Sequence, residues 1–438
     1  MSSTETALQV LPPVTPPAVA AVLEQLDTWA VAGEAAEFPY AAVLGHLRSV
    51  GKHFLSAELL DRLAEIRDVL TARSKQPFPA RPDDSPATLR EFLDVVLDKH
   101  DSRYDYPSYT ALSLLAPPAP ADWHEARRAR DEMLLLLLAD LIRFEQQALS
   151  DTPADPHGMP PQPELVGKRT RLAVRVMEPA ALRVLPPGTV DAAAVAAVPG
   201  RTPGGPLAAD VLRAATPHQA LVLSASIQPV CVLHDEYLFL RTLQSFETTF
   251  TFMSAALATA VRRLADDRPQ EAADHVGTVA DTLKESLPLF SLLATMRPEA
   301  FRTFREFTEG ASAIQSAGYK TFESLCSTPH LARLASPAYT SVPEVRERVV
   351  GGQPTVQGTW HDLIAEHRLD AAGDAALRAA ADRLESTHQR WKQTHYRLAV
   401  RMIGERTGTG YTEGVPYLAE VLGNRLFPAA DRHGALVS

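Results

Sequence analysis

Cysteine is nearly absent: Cys231 and Cys326 are the only two in 438 residues. That is too few for a disulfide framework and fits a reducing cytoplasm. Long apolar runs are also missing. None is longer than Met133 to Ala139, which falls far short of the ~20 residues a membrane helix needs and excludes a spanning segment. Positive charge is in deficit, with a net charge of −10 and no basic stripe interleaved with aromatics, so nucleic acid is excluded as a partner. The leading stretch, MSSTETALQVLPPVTPP, is too polar and proline-rich for a secretory signal. No phosphate-binding glycine loop, nucleophile elbow or His-Glu-x-x-His helix occurs. Alternating strand patterns are absent as well.

What is present is helical periodicity, in a composition of 45% apolar and 22% charged residues that suits a soluble globular chain with ample core. Residues 1–17 read as a disordered lead. Residues 18–160 read as a helical N-terminal region, with amphipathic stretches such as SAELLDRLAEIRDVL and a densely apolar one, DEMLLLLLADLIRFEQQAL, expected in the middle of a bundle. Tyr104, Tyr106 and Tyr109 form the densest aromatic cluster. Residues 161–205 are rich in Pro, Gly and Ala and read as linker-like. Within them KRTRLAVRVMEPAALRVL is undecided between a strand pair and a short helix. From 206 to 430 the chain reads as helical throughout. One long helix begins at His234, with Asp235 and Glu236 at its start and Arg262 and Arg263 at its end, matching the helix dipole. The fold class is all-α.

Three constellations could carry chemistry. Trp391, His395, Leu398 and Met402 follow helical spacing, Gly404 stops that helix, and Gly408-Thr409-Gly410 with Gly414 read as a loop with bare N–H groups. A buried histidine beside such a loop suits a single-histidine haem site, and equally an ordinary core histidine. His388 lies seven residues earlier on the same stripe and is a rival. Arg305, beside Phe301 and Phe304, is either a surface cation–π partner or a guanidinium held against an apolar pocket to clamp a carboxylate. Ala311 to Glu323 packs small residues where a flat ligand could approach. Other sets fail: His234, Asp235 and Glu236 are consecutive, so their side chains diverge and cannot share a metal.

In order along the chain, these pieces resemble the tryptophan 2,3-dioxygenase and indoleamine 2,3-dioxygenase superfamily. The likeness rests on His234-Asp235-Glu236, Leu238-Phe239, Gln244 and Glu247; on Phe301, Phe304-Arg305-Glu306, Ala311-Ser312, Gln315-Ser316, Lys320 and Glu323; and on Trp391, His395, Arg401, Ile403-Gly404, Gly408-Thr409-Gly410, Gly414 and Tyr417-Leu418. The resemblance implies a helical bundle of that type over 206–430, carrying haem b, with the extra N-terminal region added. It implies His395 as the iron's axial ligand, because only His395 has the family's fourteen-residue spacing to Thr409. Arg305 and Thr409 match positions for the substrate's α-carboxylate and ammonium end. Phe239 and Phe301 match the ring pocket, and Ser312 a small residue beside the haem. Neither cysteine lies near His395, which argues against a thioether-linked haem.

The implied activity is insertion of O2-derived oxygen into the ring of L-tryptophan or a related aromatic amino acid, by default ring cleavage to N-formylkynurenine. A haem-dependent aromatic hydroxylase and a non-catalytic haem or small-molecule binding protein are the alternatives. Partners would be the amino acid and further copies of the chain, as a dimer or tetramer. Two departures bear on the substrate. Leu243 stands where the tryptophan enzymes carry a distal histidine, and Tyr411 stands where the closing loop has glycine. Tyr106, Tyr109 and Asp131-Glu132-Met133 also echo the family's opening motif, so a partial repeat over 100–150 is an open reading beside coincidence.

Overall fold

A computed structural model describes residues 16–32, 34–73, 85–116, 122–149, 158–187, 189, 204–404 and 414–428. Among the described residues the fold is all-α, without strands; one isolated bridge joins Gly158 to Leu233. Of the expected N-terminal lead, residues 1–15 lie outside the described residues. No described helix is long and apolar enough to cross a membrane.

The first helices are α1 (Pro16–Ala32), α2 (Tyr40–Val50), α3 (Ala57–Arg73) and α4 (Ser85–Val96). Their apolar stripes close on a small core containing Leu26, Leu47, Leu63 and Phe92. This core is fastened to the rest of the chain by backbone and charge. Gly51, with φ of 88°, lets the chain pass so close to Val230 that a Cβ would meet its carbonyl oxygen at 2.7 Å. The next two N–H groups, of Lys52 and His53, then donate to the carbonyls of Pro229 and Val230 at 2.8 and 3.2 Å. The Lys52 ammonium pairs with Asp98 at 2.7 Å, both fully buried.

Two short helices, α5 (Tyr106–Tyr109) and α6 (Leu112–Leu115), lead to α7 (Trp123–Gln147) and α8 (Pro163–Val184). Leu134 to Leu138 are all buried, as expected for a helix apolar on every side. The 161–205 stretch departs from its linker-like reading, because α8 occupies 163–184 and packs into the main core through Val166, Ala173, Val174 and Met177. Its helical stripe is masked in the sequence by Arg169, a charged residue on the buried face. Helices α9 (Gly205–Ala214) and α10 (Pro217–Ala225) then bring the chain to α11 (His234–Ala265).

Helix α11 is buried along most of its length and is the axis of the molecule. Around it stand α12 (Pro269–Ser286), α13 (Pro288–Leu293), α14 (Pro298–Arg305) and α15 (Ala317–Cys326). The short helices α16 (Leu331–Leu334), α17 (Pro337–Thr340) and α18 (Pro343–Val350) form a side layer, followed by α19 (Val356–Ala365). The last long helix, α20 (Ala371–Ile403), starts on an Asp370 cap and stops at Gly404, whose φ of 66° suits glycine; α21 (Val415–Glu420) follows.

The charges at the start of α11 do more than complement its dipole. Asp235 accepts from Arg169 at 2.6 Å, and the same guanidinium donates to Glu145 on α7 at 2.9 Å and to the Thr295 hydroxyl at 3.1 Å, with the side chains of Arg169, Glu145 and Asp235 no more than 1% exposed. Removing Arg169 takes the guanidinium from buried Glu145 and leaves Asp235 with Arg297 alone, whose N–H donates to it at 2.8 Å. Arg169→Met should therefore cost about 3–5 kcal/mol, read as a lowered melting temperature in denaturation followed by circular dichroism. A melting curve matching wild type would show that the network is dispensable.

Candidate active site

Two helices bound the principal cavity. On α11 the residues Phe239, Leu243, Phe246, Glu247 and Phe250 recur at three- and four-residue spacing and present one face to it. On α20 the corresponding face carries Trp391, Lys392, His395, Leu398, Ala399 and Met402. Helix α14, the turn after it, α15 and α21 close the remaining sides around a volume of about 280 Å3. The walls are mostly aromatic and aliphatic. Walls of this kind present few polar groups to a ligand, so a charge interaction against them is stronger than one in open water.

His395 and His388 have different surroundings. His395 faces the cavity, with Phe290 stacked on its ring at 5.7 Å and 18° and Trp391 at 5.5 Å. Among the described residues its ring nitrogens have no hydrogen-bond partner. His395 is half-buried, open on its cavity side, and desolvation by the surrounding protein holds its pKa down to about 4. The imidazole is therefore neutral at physiological pH, the form that ligates a metal. His388 is 1% exposed and lies away from the cavity, with Nε2 engaged by the Tyr319 hydroxyl at 2.8 Å.

At one end of the cavity Phe239, Phe301 and Phe304 pack edge-on or tilted at 5.4–5.5 Å. Arg305, the last residue of α14, lines the cavity beside them. Leu243 contributes an apolar wall one turn further along α11. Ser312 also lines it, and caps the short turn 313–315: its N–H donates to the Gln315 side chain at 3.0 Å. Six of the residues singled out in the sequence, Phe239, Leu243, Phe301, Arg305, Ser312 and His395, thus share one cavity. Thr409 and Tyr411 lie outside the described residues.

Two further lining residues come from the stretch that echoes the family's opening motif. Tyr106 and Tyr109 reach the cavity from the N-terminal side. The Tyr106 hydroxyl donates to Glu247 at 2.9 Å, its N–H to Gln315 at 3.1 Å, and the Tyr109 hydroxyl to Glu236 at 3.2 Å. Burial raises Glu247 to about 7, against the opposing hydroxyls of Ser316 and Tyr106, and raises Glu236 to about 8, against the N–H groups of Val230 and Cys231. The tyrosine cluster was visible in the sequence. Its partners, 127 and 141 residues away, were not.

No protein-family model matches the chain. Curated relatives do. The tryptophan 2,3-dioxygenase of Bacillus thuringiensis (strain Al Hakam) is 27% identical over 232 residues, covering 44% of this chain and 82% of its own length. That of Anaeromyxobacter sp. (strain K) is 28% identical over 228 residues, covering 44% and 84%. That of Polaromonas naphthalenivorans (strain CJ2) is 26% identical over 246 residues, covering 48% and 86%. With its all-α bundle around an aromatic-walled cavity, the chain is similar to the tryptophan 2,3-dioxygenases, at 26–28% identity over less than half of its length.

The Glu247 carboxyl gives the cavity wall a measurable signature. Its folded pKa, about 7, lies above the ordinary 4.5, so its contribution to stability is fully present below pH 4.5 and is lost as pH rises through 7. Glu247→Gln keeps an acceptor for Tyr106 without the titration. Relative to the variant, wild type should lose stability on the order of 3 kcal/mol between those pH values and no more above pH 7, read from denaturant melts across the range. A gap independent of pH would mean that Glu247 titrates normally.

Proposed function

We propose that this protein is a haem-dependent oxygenase of an aromatic amino acid, with His395 as the axial ligand of the iron. The observation that carries the reading is a neutral histidine, without a hydrogen bond among the described residues, facing an aromatic-walled cavity that Arg305 also lines. The donor set fits haem better than a bare ion: among the described residues no group of three His, Cys, Asp or Glu side chains is arranged to hold a metal. Haem, when bound, supplies an iron that takes up and activates O2.

The chain's own part is binding and positioning. Phe290 and Trp391 fix the plane of the His395 ring. Arg305 pairs with the substrate α-carboxylate in a charge-assisted contact, and the Phe239, Phe301 and Phe304 rings hold the aromatic ring beside it. Thr409 joins them on its motif alone, at the ammonium end. The apolar walls keep bulk water from the reacting ring. Tryptophan, opened to N-formylkynurenine, is the default reaction. Leu243 favours a modified indole as the second reading, since it offers no acceptor to a ring N–H and leaves room for a substituent there.

Three measurements test this. His395→Ala should abolish the haem absorption band or make it dependent on added imidazole, whereas His388→Ala should keep it; the reverse pattern would move the ligand to His388. Binding of L-tryptophan, 1-methyl-L-tryptophan and tryptamine, followed at the haem band, tests the substrate end. Arg305→Ala should cost L-tryptophan roughly 2–5 kcal/mol and leave tryptamine unchanged, because only the former brings a carboxylate. Equal affinity of wild type for tryptophan and tryptamine would remove Arg305 from the site. Rejection of the 1-methyl compound would show that Leu243 does not face the ring nitrogen. Mass spectrometry of the products separates one-atom from two-atom insertion.

A further inference from the structure

The end of the cavity opposite Arg305 carries more positive than negative charge. Lys320, on α15, is 4% exposed and lines the cavity. Among the described residues its ammonium makes no hydrogen bond. The nearest carboxylate, Glu323, lies 3.8 Å away, and the rings of Tyr319 and Tyr339 stand at 5.0 and 5.7 Å. Glu323 is already committed: Arg333 donates to both its oxygens at 2.6 and 2.8 Å, and the Tyr339 hydroxyl donates to one at 3.1 Å. Arg333, which also lines the cavity, has a buried Nε without a partner. The third cation, Lys392, is spent on the carbonyls of Val421, Leu422 and Asn424. Burial pulls Lys320 down to about 8, against the pull of Glu323, so it remains charged at neutral pH. A buried ammonium with unused donors is costly unless an anion meets it.

We propose that Lys320 and Arg333 form a second anion subsite, which takes a carboxylate on the rim of a bound porphyrin. The proposal rests on the haem reading above. Separation of the two cationic ends argues for two different carboxylates. Arg305 belongs to the Phe239 end of α11, through Phe301 and Phe304, and Lys320 to the Phe250 end, where Phe250 meets Tyr319 at 5.4 Å. Eleven residues of helix between them span about 16 Å, too far for one small amino acid to reach both. His395 lies one turn along α20 from Trp391, at 5.5 Å, and the Trp391 ring in turn stacks at 5.6 Å on Tyr319, the chain neighbour of Lys320. A flat macrocycle centred on His395 therefore has its rim, and not its centre, near Lys320.

The test uses metal-free protoporphyrin IX and its dimethyl ester, titrated by tryptophan fluorescence quenching into full-length wild type, Lys320→Met and Lys320→Arg. Without iron, the outcome does not depend on His395, so a failed haem ligand and a failed anion subsite give different results. Wild type should bind the diacid roughly tenfold tighter than the diester, Lys320→Met should lose that preference, and Lys320→Arg should keep it. The affinity for L-tryptophan should not change in Lys320→Met. Loss of tryptophan affinity with porphyrin binding intact would assign the subsite to the substrate and overturn the proposal. So would a diacid preference retained by Lys320→Met. If that variant does not fold, equal binding of diacid and diester by wild type is the overturning result.

Discussion

Burial of the first turn of α11 is the constraint on which the rest of the structure depends. Asp235 and Glu236 have no exposure, so neither can rely on water. Arg169, carried by α8, meets Asp235, while the N–H groups of Val230 and Cys231 and the Tyr109 hydroxyl meet Glu236. Each donor comes from a different part of the chain. Satisfying two carboxylates thus draws α8, the 230–231 turn and the 106–109 segment to one end of the same helix. Once α11 is held there, its aromatic face is set opposite α20 and the cavity follows.

Inside that cavity, polarity is graded. The Phe239 end is aromatic with one cationic side chain, Arg305; the middle is apolar around His395; the Phe250 end gathers Lys320, Glu323 and Arg333. Although burial alone would raise Glu323, Arg333 and Lys320 more than offset it and hold the carboxyl at about 2. It is therefore a fixed negative charge at neutral pH, unlike Glu247, which titrates near neutrality. Two carboxylates lining one cavity differ because one faces cations and the other faces hydroxyls.

Legibility of these features in the sequence followed the range of the interaction that creates them. The all-α class, the stripe carrying His395, the stop at Gly404 and the aromatic setting of Arg305 are local patterns and were readable. Helix α8 stayed undecided against a strand pair, because Arg169 interrupts its apolar stripe and Pro179 sits inside it. Glu247 and Lys320 were legible only as positions of the resemblance; their burial comes from tertiary packing, which has no local pattern. Tyr106 and Tyr109 stood out as a cluster, but nothing local says that their hydroxyls end on Glu247 and Glu236. Buried polar contacts between distant segments leave no periodic trace.

The Tyr106 contacts have a further thermodynamic consequence. This residue is joined to Gln315 through its N–H and to Glu247 through its hydroxyl, and it is also part of the cavity wall. Docking of the 106–115 segment and occupancy of the cavity are consequently linked equilibria. A molecule that binds only the closed cavity tightens the segment's attachment by the same free energy with which the attached segment improves its binding. Slowed hydrogen exchange at the Tyr106 amide would thus report on filling of a site whose histidine lies 289 positions later in the chain.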